Sequence, residues 1–377
     1  MNICVVSPSY PTPKTIVFVF VDQLCRAFAD KGVNVSIIAP QSLTRSIVHG
    51  DPLVPKVSEI KTESGHVIKL YRPHYISCGN GRFRKFTTRF FNEAVRKAFE
   101  RMDNKPDVCY GHFWSSINAI FPIAKKNNIP LFGASGEECV AFYDVYNDKE
   151  KKELSKYMNG LVSVSTKNKN ECISLGLIQE EKIRVIPNAV NLEVFKSRDV
   201  LRCREKLGIT PNDFVVSFVG QFVPRKGVLR ICEALKQLND DAIKAIFIGS
   251  GVEDPQYDGI IFKGRVSHDD IADYLYASDI YVMPTENEGC SNAVIEAMAC
   301  GLPIVSTDAP FNYDILNDTN SILVDCHDID EIAQAIKTLK ENSELRSKLS
   351  KGASLMASGL SISERAGKIL NFINSKI

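Results

Sequence analysis

The chain is predicted to form two α/β domains, each built on a doubly wound parallel sheet. Its 377 residues exceed what one ordinary hydrophobic core holds. Near the N-terminus, a buried strand over Asn2–Ser7 is followed by a helix over Val17–Lys31 and a second strand over Val35–Ala39. This strand–helix–strand order is typical of a parallel sheet. The pattern starts again with a strand over Phe214–Val219, which predicts a second domain of the same class.

The overall composition disfavours several classes of function. Lysine and arginine number 46 against 45 acidic residues, so no global charge suggests a nucleic-acid partner. The eleven cysteines occur singly and form no C-x-x-C pair, which favours reduced thiols in a cytoplasmic protein over disulfides or zinc. The first residues lack the basic and apolar regions of a signal peptide. No run approaches the ~20 apolar residues of a membrane-spanning helix.

The first half carries two candidate side chains where predicted strands end. A strand over Pro106–Gly111 places His112 at the side of the sheet where doubly wound proteins bind ligands, although a lone histidine is more often structural. A strand edge over Leu131–Glu138 brings Glu137 to the same side. This carboxylate either binds a ligand hydroxyl or, as we favour, lies at the start of a helix. The loop after the first strand has no glycine before Gly32, which disfavours a dinucleotide-binding oxidoreductase.

The second half is organised around residues 279–307, DIYVMPTENEGCSNAVIEAMACGLPIVST. Ile280–Met283 predicts a buried parallel strand, and Ser291 or Asn292 is placed to cap the helix that follows. The backbone N–H groups at such a helix N-terminus favour an anion such as phosphate. The stretch therefore predicts an anion site between the strand and the helix.

Two carboxylates flank this helix start. Glu288 lies in the loop ahead of it, and Glu296 lies on a helix whose residues 293–299 are otherwise apolar. Burying a carboxylate costs several kcal/mol unless a partner or a ligand binds it. An anion site with carboxylates beside it suits a ligand that carries phosphate and hydroxyls, such as a nucleotide sugar. The alternative is that Glu288 is a solvated loop acid and that Glu296 makes an internal salt bridge.

A second anion site is predicted at the turn after the strand Phe214–Val219. The sequence PRKG, residues 224–227, places Arg225 and Lys226 beside the amides of the next helix. Further along, Gly249 and Gly251 follow a strand in a Gly-Ser-Gly sequence that lacks the third glycine of a dinucleotide fingerprint.

A possible metal motif has a simpler explanation. Asp328-Ile-Asp330 has the spacing of a metal-binding D-x-D pair. Asp328 fits better as the N-cap of a helix over Ile329–Lys340, with Asp330 in its first turn. A last helical segment, from about Ser343 to Asn374, is predicted to break near Gly359.

These motifs together resemble one enzyme family. One stretch resembles the signature of retaining GT-B glycosyltransferases of family GT4: Glu288, seven further residues, Glu296 and then the letters AMACGLP. It looks like the bacterial polysaccharide-assembly branch of that family, which has EGCSN in this loop. The letters PNAVN, continuing to Phe195, are similar to the interdomain linker of that family. The resemblance implies a GT-B fold, with two doubly wound Rossmann-like domains that face each other across a cleft.

The resemblance also implies the domain limits and two departures from the family pattern. Residues 1–187 form an acceptor-side domain, on which a C-terminal helix of about residues 358–377 packs back. Residues 188–357 form the nucleotide-sugar-binding domain. Thr15, Ile16 and Val17 are found where many relatives have glycines, and Gln221 replaces an arginine that many members carry.

The catalytic roles are assigned by the resemblance. Arg225 and Lys226, with the helix after Gly289, stabilise the departing diphosphate. Glu288 and the loop that follows hold the sugar hydroxyls, and His112 lies near the reacting sugar. The implied catalytic residues are Arg225, Lys226, Glu288 and His112. No protein nucleophile is required in the front-face mechanism usually assigned to the family.

The binding roles follow in the same way. Glu296 accepts hydrogen bonds from the ribose hydroxyls, and residues 263–266 contact the nucleobase largely through their backbone. The implied substrate-binding residues are Glu296, Gly289, Cys290, Ser291, Asn292, Val266, Arg265, Gly249, Gly251 and Glu137.

The resemblance implies a hexosyltransferase that moves a sugar from an NDP-sugar, with UDP preferred, to a glycan or lipid-linked acceptor in cell-surface polysaccharide biosynthesis. It implies no cofactor and no metal. Two alternatives remain open at this point. One is a GT-B epimerase that acts on UDP-GlcNAc without an acceptor, and the other is a non-catalytic subunit that only binds a nucleotide sugar.

Residues 82–102 form a candidate membrane contact. The segment is rich in cations, and Phe83, Phe86 and Phe90 recur at spacings of three and four. Its cations are Arg82, Arg84, Lys85, Arg89, Arg96, Lys97 and Arg101, against the two acids Glu93 and Glu100. Each cation near an anionic membrane contributes ~1 kcal/mol, so peripheral binding to the inner membrane face is one interpretation. An amphipathic helix packed on the first domain is the other.

Overall fold

The computed structural model describes residues 1–12, 17–78, 83–140 and 147–377, without the side chain of residue 49. Thr15, Ile16 and Arg82 lie outside these residues. The chain divides into two compact units. Unit 1 comprises residues 1–186 and 362–377, and unit 2 comprises residues 187–361.

Unit 1 alternates strands and helices along most of its length. Its strands are β1 (Asn2–Val6), β2 (Asn34–Ile38), β3 (Gln41–Ser42), β4 (Val57–Lys61), β5 (Val67–Tyr71), β6 (His74–Tyr75), β7 (Val108–His112), β8 (Leu131–Ser135), β9 (Gly160–Ser163) and β10 (Ile183–Val185). Its helices up to residue 186 are α1 (Val19–Asp30), α2 (Leu43–His49), α3 (Arg84–Glu100), α4 (Trp114–Asn127), α5 (Asp148–Tyr157) and α6 (Thr166–Ser174).

The main sheet of unit 1 has the strand order β10-β9-β8-β7-β1-β2-β5-β4. Neighbouring strands are parallel except β4 and β5, which pair antiparallel. All five residues of β7 and of β8 are buried, as expected for central strands covered on both faces. Strands β3 and β6 form a separate two-stranded parallel sheet.

Unit 2 repeats the architecture on a six-stranded sheet of order β13-β12-β11-β14-β15-β16, parallel throughout. Its strands are β11 (Phe214–Val219), β12 (Ile243–Ile248), β13 (Ile260–Gly264), β14 (Ile280–Met283), β15 (Ile304–Thr307) and β16 (Ser321–Val324). Its helices are α7 (Val200–Lys206), α8 (Val228–Leu238), α9 (Ile271–Tyr276), α10 (Asn292–Ala299), α11 (Ile329–Glu341) and α12 (Ser343–Ser358). The predicted strands Phe214–Val219 and Ile280–Met283 are confirmed.

The last helix returns to unit 1. The predicted break near Gly359 is confirmed, because α12 ends at Ser358 and α13 spans Ile362–Asn374. In α13, the ring of Phe372 lies 6.0 Å from that of Phe132. A Cβ on Gly160 would lie 2.7 Å from the Phe372 ring, so a glycine is needed for this close packing. Among the described helices, none has the length and apolar composition needed to cross a membrane.

Candidate active site

The strand–loop–helix segment of unit 2 is fixed by local hydrogen bonds. Ser291 caps α10 by accepting a bond from the Val294 N–H at 3.4 Å, so Ser291 is the cap. The Cys290 carbonyl accepts a bond from Asn188 Nδ2 at 2.9 Å. Gly289, Cys290 and Ser291 are buried, and Asn292 Oδ1 is buried without a hydrogen-bond partner in the described structure. The loop therefore presents an ordered helix N-terminus with an unused acceptor beside it.

The two predicted cations lie on a short 3₁₀ turn, Pro224–Lys226, that packs against the end of β14. Gly227 ends the turn at φ +77°, and a Cβ there would come within 2.5 Å of the Pro284 carbonyl oxygen. Arg230 also binds this region, because its guanidinium donates to the carbonyls of Pro224 at 3.1 Å and Pro284 at 2.8 Å. The turn is thus held to the loop that carries Glu288.

Glu288 joins both cations through one carboxylate oxygen, a cluster named the cation clamp below. Its Oε1 accepts from Arg225 Nη1 at 3.1 Å and from Lys226 Nζ, and Thr285 Oγ1 lies 3.4 Å away. Arg225 Nη1 also donates to the Asn287 carbonyl at 2.6 Å. Two cations and one carboxylate leave a net charge of +1 beside α10. The Glu288 side chain is 13% exposed, so its interpretation as a solvated loop acid is wrong.

Glu296 has a partner that the sequence did not reveal. Its Oε1 lies 3.1 Å from His268 Nε2, and the carboxylate is 13% exposed. The hydrogen bond to Glu296 raises the pKa of His268 above its ordinary value, and burial opposes this. The ring of Phe195 packs edge-on against the imidazole at 5.6 Å. The internal pairing proposed as the alternative for Glu296 is confirmed, with a titratable partner, and its ribose role stays a prediction.

Gly249 and Gly251 are required by backbone packing. A Cβ on Gly249 would lie 1.8 Å from the Gly220 carbonyl oxygen, and a Cβ on Gly251 would lie 2.0 Å from that of Phe222. The loop after β11 therefore lies directly on these two glycines. Arg265 is exposed and Val266 is half-buried just beyond β13. Contacts of these four residues with a nucleotide stay predictions.

His112 ends β7 in unit 1 and is held neutral by burial. Loss of solvation lowers its pKa to about 3, and the charge of Arg365 acts in the same direction. The Nδ1 atom is buried and has no hydrogen-bond partner in the part of the chain described. Its ring contacts Phe113 at 4.7 Å and Phe20 at 5.4 Å between centroids. The side chain is therefore an uncharged imidazole in an aromatic cage.

Glu137 accepts hydrogen bonds from the start of α4 and from the end of β8. Its Oε1 accepts from the Trp114 N–H at 2.7 Å, at the first residue of α4. Its Oε2 accepts from Ser135 Oγ at 3.0 Å and from the Gly136 N–H at 2.9 Å. Burial raises its pKa, and these hydrogen bonds oppose the shift. The geometry is that of an acid at a helix start, as we favoured, although the helix is α4 and not one that follows Glu137 itself.

The D-x-D pair has the predicted structural role. Asp328 accepts a bond from the Glu331 N–H at 3.0 Å and caps α11. Asp330 accepts a bond from Gln237 Nε2 at 2.6 Å. Within the described residues, no group of three or more histidine, cysteine or acidic side chains is arranged to hold a metal ion.

Comparison with known proteins gives consistent matches along the chain. Residues 17–194 match the family described as Glycosyltransferase Family 4, and residues 199–356 match Glycosyl transferases group 1. A D-inositol 3-phosphate glycosyltransferase of Stackebrandtia nassauensis is 25% identical over 377 residues, covering 89% of this chain and 81% of its own. A UDP-Gal:alpha-D-GlcNAc-diphosphoundecaprenol alpha-1,3-galactosyltransferase of Escherichia coli is 29% identical over 231 residues, covering 57% and 60%.

Among solved structures, Anabaena Alr3699/HepE in complex with UDP and glucose superposes with a TM-score of 0.71. It is 17% identical, and the match covers 100% of both chains. At this identity the likeness shows the fold, in which each of the two units is built on an α/β sheet as described above.

Proposed function

The chain is a glycosyltransferase of family 4 with the GT-B fold, and we propose that it transfers a sugar from an NDP-sugar to a glycan or lipid-linked acceptor with retention of configuration. We further propose that UDP is the nucleotide and that the product belongs to a cell-surface polysaccharide. Support for UDP comes from Alr3699/HepE, whose structure contains it. Support for the acceptor class comes from the Escherichia coli relative, whose named acceptor is lipid-linked.

The observation that carries this proposal is the cation clamp beside the start of α10. Arg225 and Lys226 share Glu288 Oε1, which fixes both cations before a substrate arrives. A departing nucleoside diphosphate gains negative charge as its bond to the sugar breaks. Cations already held in place stabilise that charge without reorganising in the transition state.

In the proposed reaction, the bond between the anomeric carbon and the diphosphate oxygen breaks. The acceptor oxygen forms its bond to that carbon on the same face, and its proton passes to the departing diphosphate. No protein nucleophile takes part. The cation clamp and the backbone N–H groups at the start of α10 would stabilise the negative charge that develops on the diphosphate. We therefore also propose that no metal is needed.

The other contacts of the donor follow from unit 2. Glu296 would accept from the ribose hydroxyls through a carboxylate that His268 orients. Asn292 Oδ1, buried and unpaired among the described residues, would accept from a sugar hydroxyl. A buried acceptor without a partner is costly, and a bound hydroxyl removes that cost.

A peripheral membrane contact through α3 belongs to the same proposal. Phe83, Phe86 and Phe90 are 55%, 54% and 41% exposed, whereas the opposite face of α3 is buried in unit 1. Lys85 and Arg89 lie among these rings, exposed and in no ion pair with a described residue. Exposed phenylalanines beside cations suit an anionic bilayer surface. Sedimentation with anionic vesicles should be lost in Arg84→Glu/Lys85→Glu/Arg89→Glu and kept in Lys125→Glu, on α4.

The proposed reaction is tested first by thermal shift against UDP, GDP, ADP and their sugars. A ligand at 100 times its dissociation constant stabilises the folded state by about 2.7 kcal/mol. The stabilising nucleotide sugar is then incubated with lipid-linked acceptors, with and without EDTA, and the products are analysed. We expect transfer with retained configuration that EDTA leaves unchanged. Epimerised donor without transfer would favour the epimerase, and binding without any turnover would favour the binding subunit.

A further inference from the structure

A pocket in unit 1 lies where β1, β2 and β5 end. The loops after these strands form its walls, together with the small sheet of β3 and β6 and the first turns of α2. Its lining includes Tyr10, Phe18, Ser42, Arg45, Arg72 and Tyr75. Ligands of open parallel sheets bind outside the carboxyl ends of the strands, and the pocket opens at that edge of the sheet.

Arg72 is held in this pocket by neutral groups. Its Nη2 donates to the Pro11 carbonyl at 2.7 Å, and its guanidinium lies 5.6 Å from the centre of the Tyr10 ring. The Nε atom is buried and has no hydrogen-bond partner in the described structure. Burial lowers the pKa of Arg72, as expected for a cation without a direct counter-ion. The described residues place no carboxylate within ion-pair distance of it.

Arg45 brings a second guanidinium to the same pocket. It lies on α2, whose cap Ser42 accepts a bond from the Arg45 N–H at 3.1 Å. Its side chain is exposed and forms no ion pair with a described residue. Asp51 also lines the pocket, so the described lining carries two cations and one carboxylate. A pocket with a net positive charge and two guanidinium groups favours an oxyanion, because a guanidinium binds an oxyanion in a bidentate manner.

Aromatic rings form part of the pocket wall. Phe18 and Tyr75 are half-buried there. Phe18 has φ +58°, a left-handed backbone that bulky residues rarely adopt, and its ring packs against Phe113 at 5.8 Å. Such strain persists only where the surrounding structure enforces it, and it clusters at binding sites. Partly exposed rings of this kind are suited to the apolar face of a sugar.

We propose that this pocket binds a negatively charged sugar unit of the acceptor, with Arg45 and Arg72 on its phosphate or carboxylate and Phe18 and Tyr75 against its ring. The inference rests on the proposed glycosyltransferase function and adds the chemical class of the acceptor. A bound oxyanion would supply Arg72 with the counter-charge that the described residues do not provide at ion-pair distance, whereas a neutral sugar would not.

The test is calorimetric titration of the full chain with three probes: N-acetylglucosamine 1-phosphate, glucuronic acid and neutral N-acetylglucosamine. All titrations use the Arg225→Ala/Lys226→Ala background, so that the clamp in unit 2 does not bind the anion. Arg45→Gln and Arg72→Lys are compared with Arg184→Gln, which removes an exposed cation from β10 at the far edge of the same sheet. Circular dichroism checks that each variant is folded.

We expect at least one charged probe to bind ~10-fold or more tightly than the neutral sugar. Arg45→Gln and Arg72→Lys should each weaken that probe by a similar factor, and Arg184→Gln should leave it unchanged. Preference for the phosphate or for the carboxylate identifies the anion. Equal affinity for charged and neutral probes, no binding of either charged probe, or no effect of Arg45→Gln would overturn the proposal.

A separate assay distinguishes this inference from the proposed function. With otherwise wild-type protein, hydrolysis of the donor sugar by water needs the clamp but no acceptor pocket. Arg45→Gln should therefore keep donor hydrolysis and lose transfer to a charged acceptor. If wild-type protein neither binds nor hydrolyses any nucleotide sugar, the proposed function fails. If it hydrolyses the donor and Arg45→Gln transfers to the charged acceptor normally, the pocket inference alone fails.

Discussion

The pKa values of two histidines, one in each unit, are shifted in opposite directions. His112, in unit 1, is surrounded by aromatic rings, and burial lowers its pKa to about 3. His268, in unit 2, is paired with Glu296, and that carboxylate raises its pKa. The carboxylates differ in the same way, since Glu137 is met by neutral donors and Glu288 by two cations. Unit 2 therefore pairs opposite charges directly, whereas the strand ends near His112 in unit 1 hold a neutral imidazole and a carboxylate that is met by uncharged donors.

The largest expected effect tests the cation clamp, which holds the paired charges of unit 2. Arg225→Ala/Lys226→Ala should lower turnover on the order of 10³-fold, because two preorganised donors to the departing diphosphate are lost. Lys236→Ala removes a cation from the same unit, on the exposed face of α8, and should have no such effect. Steady-state kinetics with the preferred donor measure the loss. Full activity in the folded double variant would show that the clamp is structural only.

The second effect tests whether Glu296 serves a ligand or only its histidine. Glu296→Ala should weaken donor binding ~10²-fold, because the ribose hydroxyls lose a charged acceptor. His268→Gln keeps a hydrogen-bonding side chain beside Glu296 and should weaken binding far less. Calorimetric titration with the nucleoside diphosphate compares the two variants. Equal losses in both would assign Glu296 to its internal pair with His268 alone.

Local patterns predicted much of unit 2, because each lies within a few residues of sequence. The strand β14, the cap at Ser291 and the cap at Asp328 all depend on neighbours three or four positions away. His268 was missed because 28 residues separate it from Glu296, and only the fold brings them together. Likewise, 23 residues separate Glu137 from the helix start that it caps.

Unit 1 was harder to predict for a related reason. The antiparallel edge strand β4 has alternating burial and pairs with β5 across a short turn, a local pattern that we did not use. Arg45 and Arg72 carry no signal in the sequence, since single arginines at the surface are usually solvated. The pairing of Gln41–Ser42 with His74–Tyr75 brings the two segments into one pocket. Long-range pairing of this kind cannot be derived from spacing.

The third prediction tests whether His112, in unit 1, stays neutral in the folded state. Because the pKa of His112 is lowered to about 3 in the folded state, the unfolded chain takes up this proton first as the pH falls. The contribution of His112 to the free energy of unfolding is therefore fully present above pH ~6.5. It should fall by about 2 kcal/mol by pH 5. His112→Leu should lessen that fall. Urea unfolding between pH 5 and 7.5 measures it, and identical pH profiles would show that His112 is accessible to protons when folded.

The smallest effect concerns His268, for which the sign is opposite. Its folded pKa is raised by Glu296, so its stabilising charge is fully present below the unfolded pKa and is lost as the pH rises through the folded one. The imidazole is 32% exposed, and solvent screens the pair, so the change should be smaller than that of His112. The melting temperature of the wild type should therefore decline from pH 6 to 8.5 more than that of His268→Gln. Nucleotide affinity should follow the same trend, because protonated His268 holds the Glu296 carboxylate in place. A steeper decline in His268→Gln would mean that burial, and not Glu296, sets the charge of this histidine.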